Sequence, residues 1–380
     1  MPRVIRYLLP LIATVPLLGF ALFRTSSAVP TEVQRSQLHD FRVEVVSEGL
    51  AHPWGLAFLP DGRALVTERP GRLNLLDLKT GKRSRVEGLP EITARGQGGL
   101  LDVALHPKFA DNGWVYLSYV AAGEGGFGTH VGRGRLKDGR LADFEVLFRA
   151  TPFTDTGHHF GSRLVFDRDG KLFVSLGERN QRQRAQDLKD HNGSLIRLND
   201  DGSIPADNPF VGRDDALPAI YSWGHRNIQG MALHPDTGRI WINEHGPRGG
   251  DEINLPEPGK NYGWPVITYG REYAGPSIGP THKDGYEQPI YQWTPSIAPS
   301  GMEFYTGDAF PKWRGNVFVG ALALTHLSRL TVQGEKIVGE ERLLDDLDLR
   351  IRAVRQGPNG LLYLLVDSSE GQVLRLRPVK

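Results

Sequence analysis

The stretch WGLAFLPDGRALVTE, Trp54 to Glu68, places a short apolar strand before a Pro-Asp-Gly turn and a second apolar strand after it. Apolar runs on both sides of such a turn are the signature of a β-hairpin. The same pattern returns as LDVALHPKFADNGWVYLSY from Leu101, SRLVFDRDGKLFVSL from Ser162 and QGMALHPDTGRIWINE from Gln229. It returns again as SGMEFYTGDAFPKWRGNVFVGA from Ser300 and IRAVRQGPNGLLYLLV from Ile351. The anchor positions Phe58, Leu105, Phe166, Leu233, Phe304 and Arg355 are separated by 47, 61, 67, 71 and 51 residues. Six hairpins at this spacing imply six propeller blades. Further strands, GRLNLLDL from Gly71, GSLIRLND from Gly193 and GQVLRLRP from Gly371, supply outer strands for four-stranded blades. The segment FRVEVVSEGL from Phe41 precedes the first copy without a hairpin of its own, and is expected to complete the last blade and close the ring. The fold expected is therefore all-β: a six-bladed β-propeller with four-stranded antiparallel blades. Two separate β-sandwiches would not explain the sixfold recurrence, and no long helical period competes.

Composition sets the outer bounds. The 380 residues carry 45 Lys and Arg against 44 Asp and Glu, so no global field favours nucleic acid or an anionic membrane. Anion binding, if any, is local. With no cysteine, disulfides, a thiol nucleophile and a lipidated cysteine are excluded. Arg3 and Arg6, the apolar run from Tyr7 to Phe23 and the small-residue stretch TSSAVP read as an export signal over residues 1–28, with an uncleaved anchor as the alternative. A linker over 29–40 and a catalytic propeller over 41–380 follow. The expected location is periplasmic or secreted, without stable membrane insertion after processing.

In a propeller the innermost strands line a central channel, and residues from the whole chain converge at its mouth. Before the first strands of the repeats lie Gln97, His158 and His159, Arg226 and Asn227, Ser300, and Arg350 with Arg352. An arginine there is ordinarily a solvated edge charge. Arg350 and Arg352, however, stand at i, i+2, on one face of an extended strand. Three guanidinium forks at one mouth suit a ligand bearing several carboxylates or phosphates. Two adjacent histidines cannot share one strand face, so at most one meets a ligand, and a neutral imidazole reads as a general base. The loop NEHGPRGGDEINLPEPGKNYGWP, Asn243 to Pro265, mixes glycine and proline carbonyls with Asp251 and Glu252. Such oxygen donors suit calcium better than zinc or copper, although an EF-hand ladder is missing and an ordinary structured loop is the alternative.

The pieces GQGGLLDVALHP, HHFGSRLVF, GHRNIQGMALHP, NEHGPRGGDEIN, KNYGWP and RIRAV, in this order and at these blade positions, resemble the soluble quinoprotein aldose sugar dehydrogenases, relatives of soluble glucose dehydrogenase. The resemblance covers nearly the whole chain from His52. It implies pyrroloquinoline quinone (PQQ) and calcium as cofactors, an aldose as substrate and an external electron acceptor. It implies His159, four residues before Arg163, as catalytic base, with His158 where glucose-specific relatives have an aspartate. It implies contacts to quinone or substrate from Gln97, Arg226, Asn227, Arg350 and Arg352, with Tyr273 flanking the cofactor. Gly246 and Pro247 would offer carbonyls to an active-site calcium, and Glu252 and Tyr262 match a second, structural calcium site. One position departs: Ala323 stands where some relatives have a lysine that pairs with the quinone. The long insertions of the glucose-specific branch are absent, which points to a monomer without narrow glucose specificity. The chemistry so implied is removal of the anomeric hydroxyl proton by His159 while hydride passes to the quinone, calcium polarises the accepting carbonyl and Arg226 stabilises the developing oxyanion. Lactone is the product. The alternatives are a calcium-dependent lactonase and a non-catalytic sugar- or protein-binding propeller.

Overall fold

The computed structural model describes residues 32–379, and the expected export signal lies outside them. Among the described residues, twenty-four strands form six four-stranded antiparallel sheets. Each sheet begins with one of the six repeated hairpins. The first strands, Pro53–Phe58, Leu100–Leu105, Leu164–Phe166, Ile228–Leu233, Pro299–Phe304 and Ile351–Gln356, stand next to one another around the axis. The predicted propeller is thus the observed one. No helix of the described residues is long and apolar enough to cross a membrane.

Strands such as Val317–Ala321 and Leu362–Val366 are buried at every position, because each blade is covered on both faces by its neighbours. The core is accordingly a ring of interfaces between blades. Leu65 and Leu73 of the first blade meet Val103 and Leu117 of the second, and Phe173 and Leu195 of the third meet Met231 and Ile242 of the fourth. Polar side chains are left for the axis and the loops.

The ring closes as the sequence predicts. Phe41–Leu50 runs antiparallel to Gly371–Pro378, pairing Phe41 with Pro378, Val43 with Leu376 and Val45 with Leu374, and becomes the outer strand of the sixth blade. Residues before it are docked rather than free-standing. Gln34 bridges Phe41, and the His39 ring packs edge-on to Phe310 and Trp313.

A further regularity concerns the axis. In five blades the register between first and second strands slips near the start of the first strand: between Pro53 and Leu56, Leu100 and Val103, Ile228 and Gly230, Pro299 and Met302, and Ile351 and Ala353. The third blade achieves the same with positive φ at His159 (52°), Gly161 (62°) and Ser162 (84°). Bulges re-aim side chains. Asp102, Gln229 and Arg352 occupy these slips, and Arg163 follows the left-handed run.

Closure gives a direct test. Phe41 is 1% exposed and meets Trp313 edge-on at 5.7 Å, so Phe41→Ala is expected to cost about 3–5 kcal/mol in denaturant unfolding. Glu44 on the same strand reaches Arg375 and Arg377 at the surface, and Glu44→Ala is expected to cost less than about 1 kcal/mol. Equal effects of the two changes would contradict the closing role of the apolar face.

Candidate active site

The axis is held by a guanidinium. Arg163 is fully buried; its Nη1 lies 3.2 Å from Asp102 Oδ1, Nε donates to the Gln229 carbonyl at 3.1 Å and Nη2 to the Arg352 carbonyl at 3.4 Å. Its plane lies 4.0 Å from the centroid of Trp54. Asp102 Oδ2 in turn accepts from the Leu164 amide at 3.0 Å. Burial pulls the Arg163 pKa down to about 10, still well above neutrality. One side chain therefore ties together strands from five blades.

His159 sits above this floor. It is 7% exposed, whereas His158 is exposed, so only one member of the pair faces inward, as the one-face argument requires. The left-handed backbone at His159 is uncommon for a residue with a Cβ and is characteristic of functional sites. Its amide donates to Gln97 Oε1 at 2.9 Å, and Nδ1 lies 2.5 Å from Glu178 Oε2. A carboxylate only accepts, so Nδ1 carries the proton and the lone pair is left on Nε2, which makes no hydrogen bond among the described residues. Burial lowers the His159 pKa below its ordinary value, and the bond to Glu178 offsets part of that shift. A Cβ at Gly177 would come within 2.4 Å of the His159 carbonyl oxygen, so a glycine is needed where the strand passes the histidine.

Arg179, next to Glu178, is fully buried and pairs with no carboxylate among the described residues. It donates to the carbonyls of Phe127 at 2.9 Å, His158 at 3.0 Å and Thr156, and lies on the Phe160 ring at 3.7 Å. It thereby ties down the loop that carries both histidines.

Two cavities adjoin this centre. The first, of about 290 Å³, is lined by Gln97, Asn227, Ala323, Arg350 and Arg352 among the predicted residues, together with Trp54, Arg69, Gln229 and Asp367. Arg352 Nη2 lies 2.7 Å from Asp367 Oδ2, Nη1 donates to Gln229 at 2.9 Å, and its buried Nε has no partner in the chain. Asp367 also takes His52 at 2.7 Å, and burial notwithstanding, these partners hold its carboxyl well below the usual range. Arg350 donates to the Leu322 carbonyl at 2.6 Å. The second cavity, of about 430 Å³, contains Arg226, Pro247 and Tyr273 with Glu178 and Trp264. The three predicted arginines are therefore divided, two in one cavity and one in the other. Arg226 donates to the Gly246 carbonyl at 2.9 Å, and its buried Nε is also without a partner.

The Gly-Pro loop is built around Asp251, which accepts from the Gly246 amide at 2.8 Å, Ser296 Oγ at 2.7 Å, and the amides of Ile297 and Ala298 at 2.7 and 2.8 Å. With its lone pairs so engaged, Asp251 shapes the loop that presents the Gly246 and Pro247 carbonyls, and the Gly246 carbonyl already accepts from Arg226 at 2.9 Å. Among the described residues no three His, Asp or Glu side chains cluster as a metal site, so backbone carbonyls are indispensable to any such site. A second acidic spot lies behind it: Asn254 Nδ2 bridges Glu244 Oε1 at 3.1 Å and Glu252 Oε2 at 3.2 Å, while Asn254 Oδ1 is buried and unpartnered. Burial and the neighbouring Glu244 raise the Glu252 pKa, which marks a position where a cation would relieve the strain of two carboxylates. The Tyr262 phenol is already committed, donating to the Leu255 carbonyl at 2.5 Å and accepting from the Glu257 amide at 3.0 Å, so only its carbonyl remains for a metal.

Sequence reading singled out neither Glu178 nor Asp367 nor Arg69. A signal existed. Second strands end on an acid, or are followed within three residues by one, in ALVTE, VSLGE, WINE and LLVD, giving Glu68, Glu178, Glu244 and Asp367, all buried. Three of these four acids pair with a histidine that precedes a first strand: Glu178 with His159, Glu244 with His225, and Asp367 with His52.

Comparison with known proteins identifies the family. The family model described as glucose/sorbosone dehydrogenase matches residues 50–375. The aldose sugar dehydrogenase YliI of Escherichia coli is 48% identical over 343 residues, covering 88% of this chain and 92% of that protein. The crystal structure of the soluble aldose sugar dehydrogenase of Escherichia coli in its apo-form superposes with a TM-score of 0.87 at 48% identity, covering 89% of this chain and all of that one. The PQQ-bound aldose sugar dehydrogenase of Streptomyces coelicolor gives a TM-score of 0.76 at 28% identity over 93% of this chain and all of that one. The chain belongs to the glucose/sorbosone dehydrogenase family of oxidoreductases, alongside the soluble aldose sugar dehydrogenases.

Proposed function

We propose that this protein oxidises aldoses at the anomeric carbon to the lactone, with PQQ in the first cavity, calcium at the Gly246 and Pro247 carbonyls, and electrons passed to an external acceptor. The observation that carries the reading is the His159–Glu178 pair, with an unengaged Nε2, beside a cavity walled by guanidinium groups. The donor set fits the group. The unpartnered Nε of Arg352 and the excess of guanidinium over carboxylate in the first cavity suit an anionic ligand with several acid groups. When bound, PQQ would supply the two-electron acceptor, and calcium held by the Gly246 and Pro247 carbonyls would supply positive charge.

The protein's own part is acid–base and positional. Glu178 fixes the His159 tautomer, so that Nε2 takes the proton of the anomeric hydroxyl, and the imidazolium so formed is stabilised by the same carboxylate. Gln97, bonded to the His159 amide, and Asn227, whose Nδ2 makes no bond within the protein, are placed to orient ligand oxygens. Arg226 holds the loop that presents Gly246 and directs positive charge toward the reacting centre. Glu252, Asn254 and the Tyr262 carbonyl would hold the structural calcium. A lactonase would want several carboxylates aimed at one ion, whereas the first cavity has Asp367 alone, already bonded to Arg352 and His52. Export through residues 1–28 would place the reaction outside the cytoplasm, with the protein acting as a monomer.

His159→Gln is expected to retain PQQ binding while turnover falls by about 10²–10⁴-fold, and unchanged turnover removes His159 from the mechanism. The base must be neutral, and burial holds its pKa below 6.5, so the acid limb of kcat should lie below pH 6.5. Glu178→Gln removes the carboxylate that favours imidazolium, so the limb should move to still lower pH as turnover drops; an upward shift would contradict the pairing. Purified apoprotein with calcium, an aldose and a dye acceptor should reduce the dye only when PQQ is added. Dye reduction independent of PQQ, or lactone hydrolysis in its place, would overturn the oxidoreductase reading.

A further inference from the structure

The first cavity contains a third guanidinium that neither the repeat pattern nor the dehydrogenase motifs single out. Arg69 directly follows the second strand of the first blade, Arg63–Glu68, and lines the cavity with Arg350 and Arg352. Its backbone is clamped between blades: the amide donates to the His52 carbonyl at 3.1 Å, and its carbonyl accepts from the Leu100 amide at 3.0 Å. A Cβ at Gly99 would fall 1.9 Å from that carbonyl oxygen, so the approach of the second blade leaves this residue no room to shift.

The side chain, in contrast, is half-buried and makes no hydrogen bond or ion pair with the described chain. The nearest carboxylate in sequence is taken. Glu68 accepts from Arg72 at 2.6 Å, Asn74 at 2.7 Å and the Ala51 amide at 2.6 Å. The other acid of the cavity, Asp367, is held by Arg352 and His52. Three guanidinium groups thus face one carboxylate that is already doubly bonded, while Ala323 on the same wall brings no charge. Burial lowers the Arg69 pKa; Asp367 partly opposes this, and the like charges of Arg352 and Arg350 add to it. A cation in this position destabilises the empty fold, so its presence calls for an anionic partner.

We propose that Arg69 is a cofactor-binding residue, its guanidinium fork taking a carboxylate of the polyanionic quinone beside Arg350 and Arg352. The inference rests on the PQQ reading above. The test is calorimetric titration of PQQ into calcium-loaded apoprotein without substrate, for the wild type, Arg69→Met and Arg69→Lys, with the thermal midpoint of each unliganded protein. Arg69→Met should weaken PQQ binding by about tenfold or more, and Arg69→Lys by less, since lysine keeps the charge but loses the fork. The unliganded Arg69→Met protein should be as stable as the wild type or more stable, because an unpaired charge among like charges is removed. Wild-type affinity in Arg69→Met, or an affinity loss accompanied by a lowered thermal midpoint, would overturn the assignment. A wild-type protein that binds no PQQ would overturn the quinone reading itself, a separate outcome.

Discussion

The buried guanidinium of Arg163 is the constraint on which the site depends. It contacts Asp102 of the second blade, the Gln229 carbonyl of the fourth, the Arg352 carbonyl of the sixth and the Trp54 ring of the first. A charge taken fully out of water is tolerable only if its donors are met, and here the partners come from strands far apart in sequence. The pair with Asp102 is weak evidence for net stability, because desolvation of both ions offsets their attraction. What it does fix is relative position: five sheets cannot rotate about the axis without breaking a buried hydrogen bond or ring contact. The strands that carry Gln229, Arg352 and Trp54 to the wall of the first cavity are therefore held in fixed relation to one another, as the proposed binding of a quinone beside a base would require.

Above that floor, geometry comes from the irregular starts of the first strands. A regular strand would alternate its side chains between the two blade faces, into apolar interfaces that cannot accept charge. The register slips turn Asp102, Gln229 and Arg352 toward the axis, and the left-handed residues at His159, Gly161 and Ser162 do the same for the third blade. The recurring histidine–carboxylate pairs follow the same plan. His225–Glu244 lies deep in the fold, with Ser222 on the other imidazole nitrogen at 2.9 Å, so both ring nitrogens are engaged and the pair can only be structural. His159 has the same carboxylate arrangement but an open second nitrogen. One local design has both ring nitrogens engaged in the fourth blade and only one in the third, and the open Nε2 is what suits His159 to the role of base proposed for it.

The architecture was legible because its signals are local. Each hairpin announces itself through a turn and flanking apolar residues, and the orphan strand at Phe41 had to pair somewhere; Gly371–Pro378 offered the free edge. The choice of His159 over His158 was not legible from spacing, since it rests on a φ of 52° that turns one ring inward and leaves the other exposed. Glu178, Asp367 and Arg69 were missed for another reason. They lie at the ends of second strands, and their meaning depends on which first strand stands opposite, a non-local fact for Asp367, whose partner His52 is 315 residues away. The recurrent acid in VTE, LGE, INE and LVD was a visible pattern, but a pattern of acids alone cannot be told from edge charges. Asp251 shows the converse: it looked like a metal donor in sequence and is a hub for four hydrogen-bond donors of the loop and its neighbour.

The charge distribution shows how a chain of net charge +1 could accommodate the polyanion proposed as its cofactor. Long-range attraction would require an excess of positive surface, and the near balance of 45 basic and 44 acidic residues provides none. In the first cavity the balance is locally broken: Arg69, Arg350 and Arg352 face Asp367 within a wall that includes Trp54, Leu101 and Phe160. Charges so enclosed are screened less by salt than charges on the surface, so recognition there is strong at contact and weak at a distance. That division suits the two ligands proposed. A tightly held cofactor needs contact energy rather than a fast approach, and an aldose carries no charge to be steered.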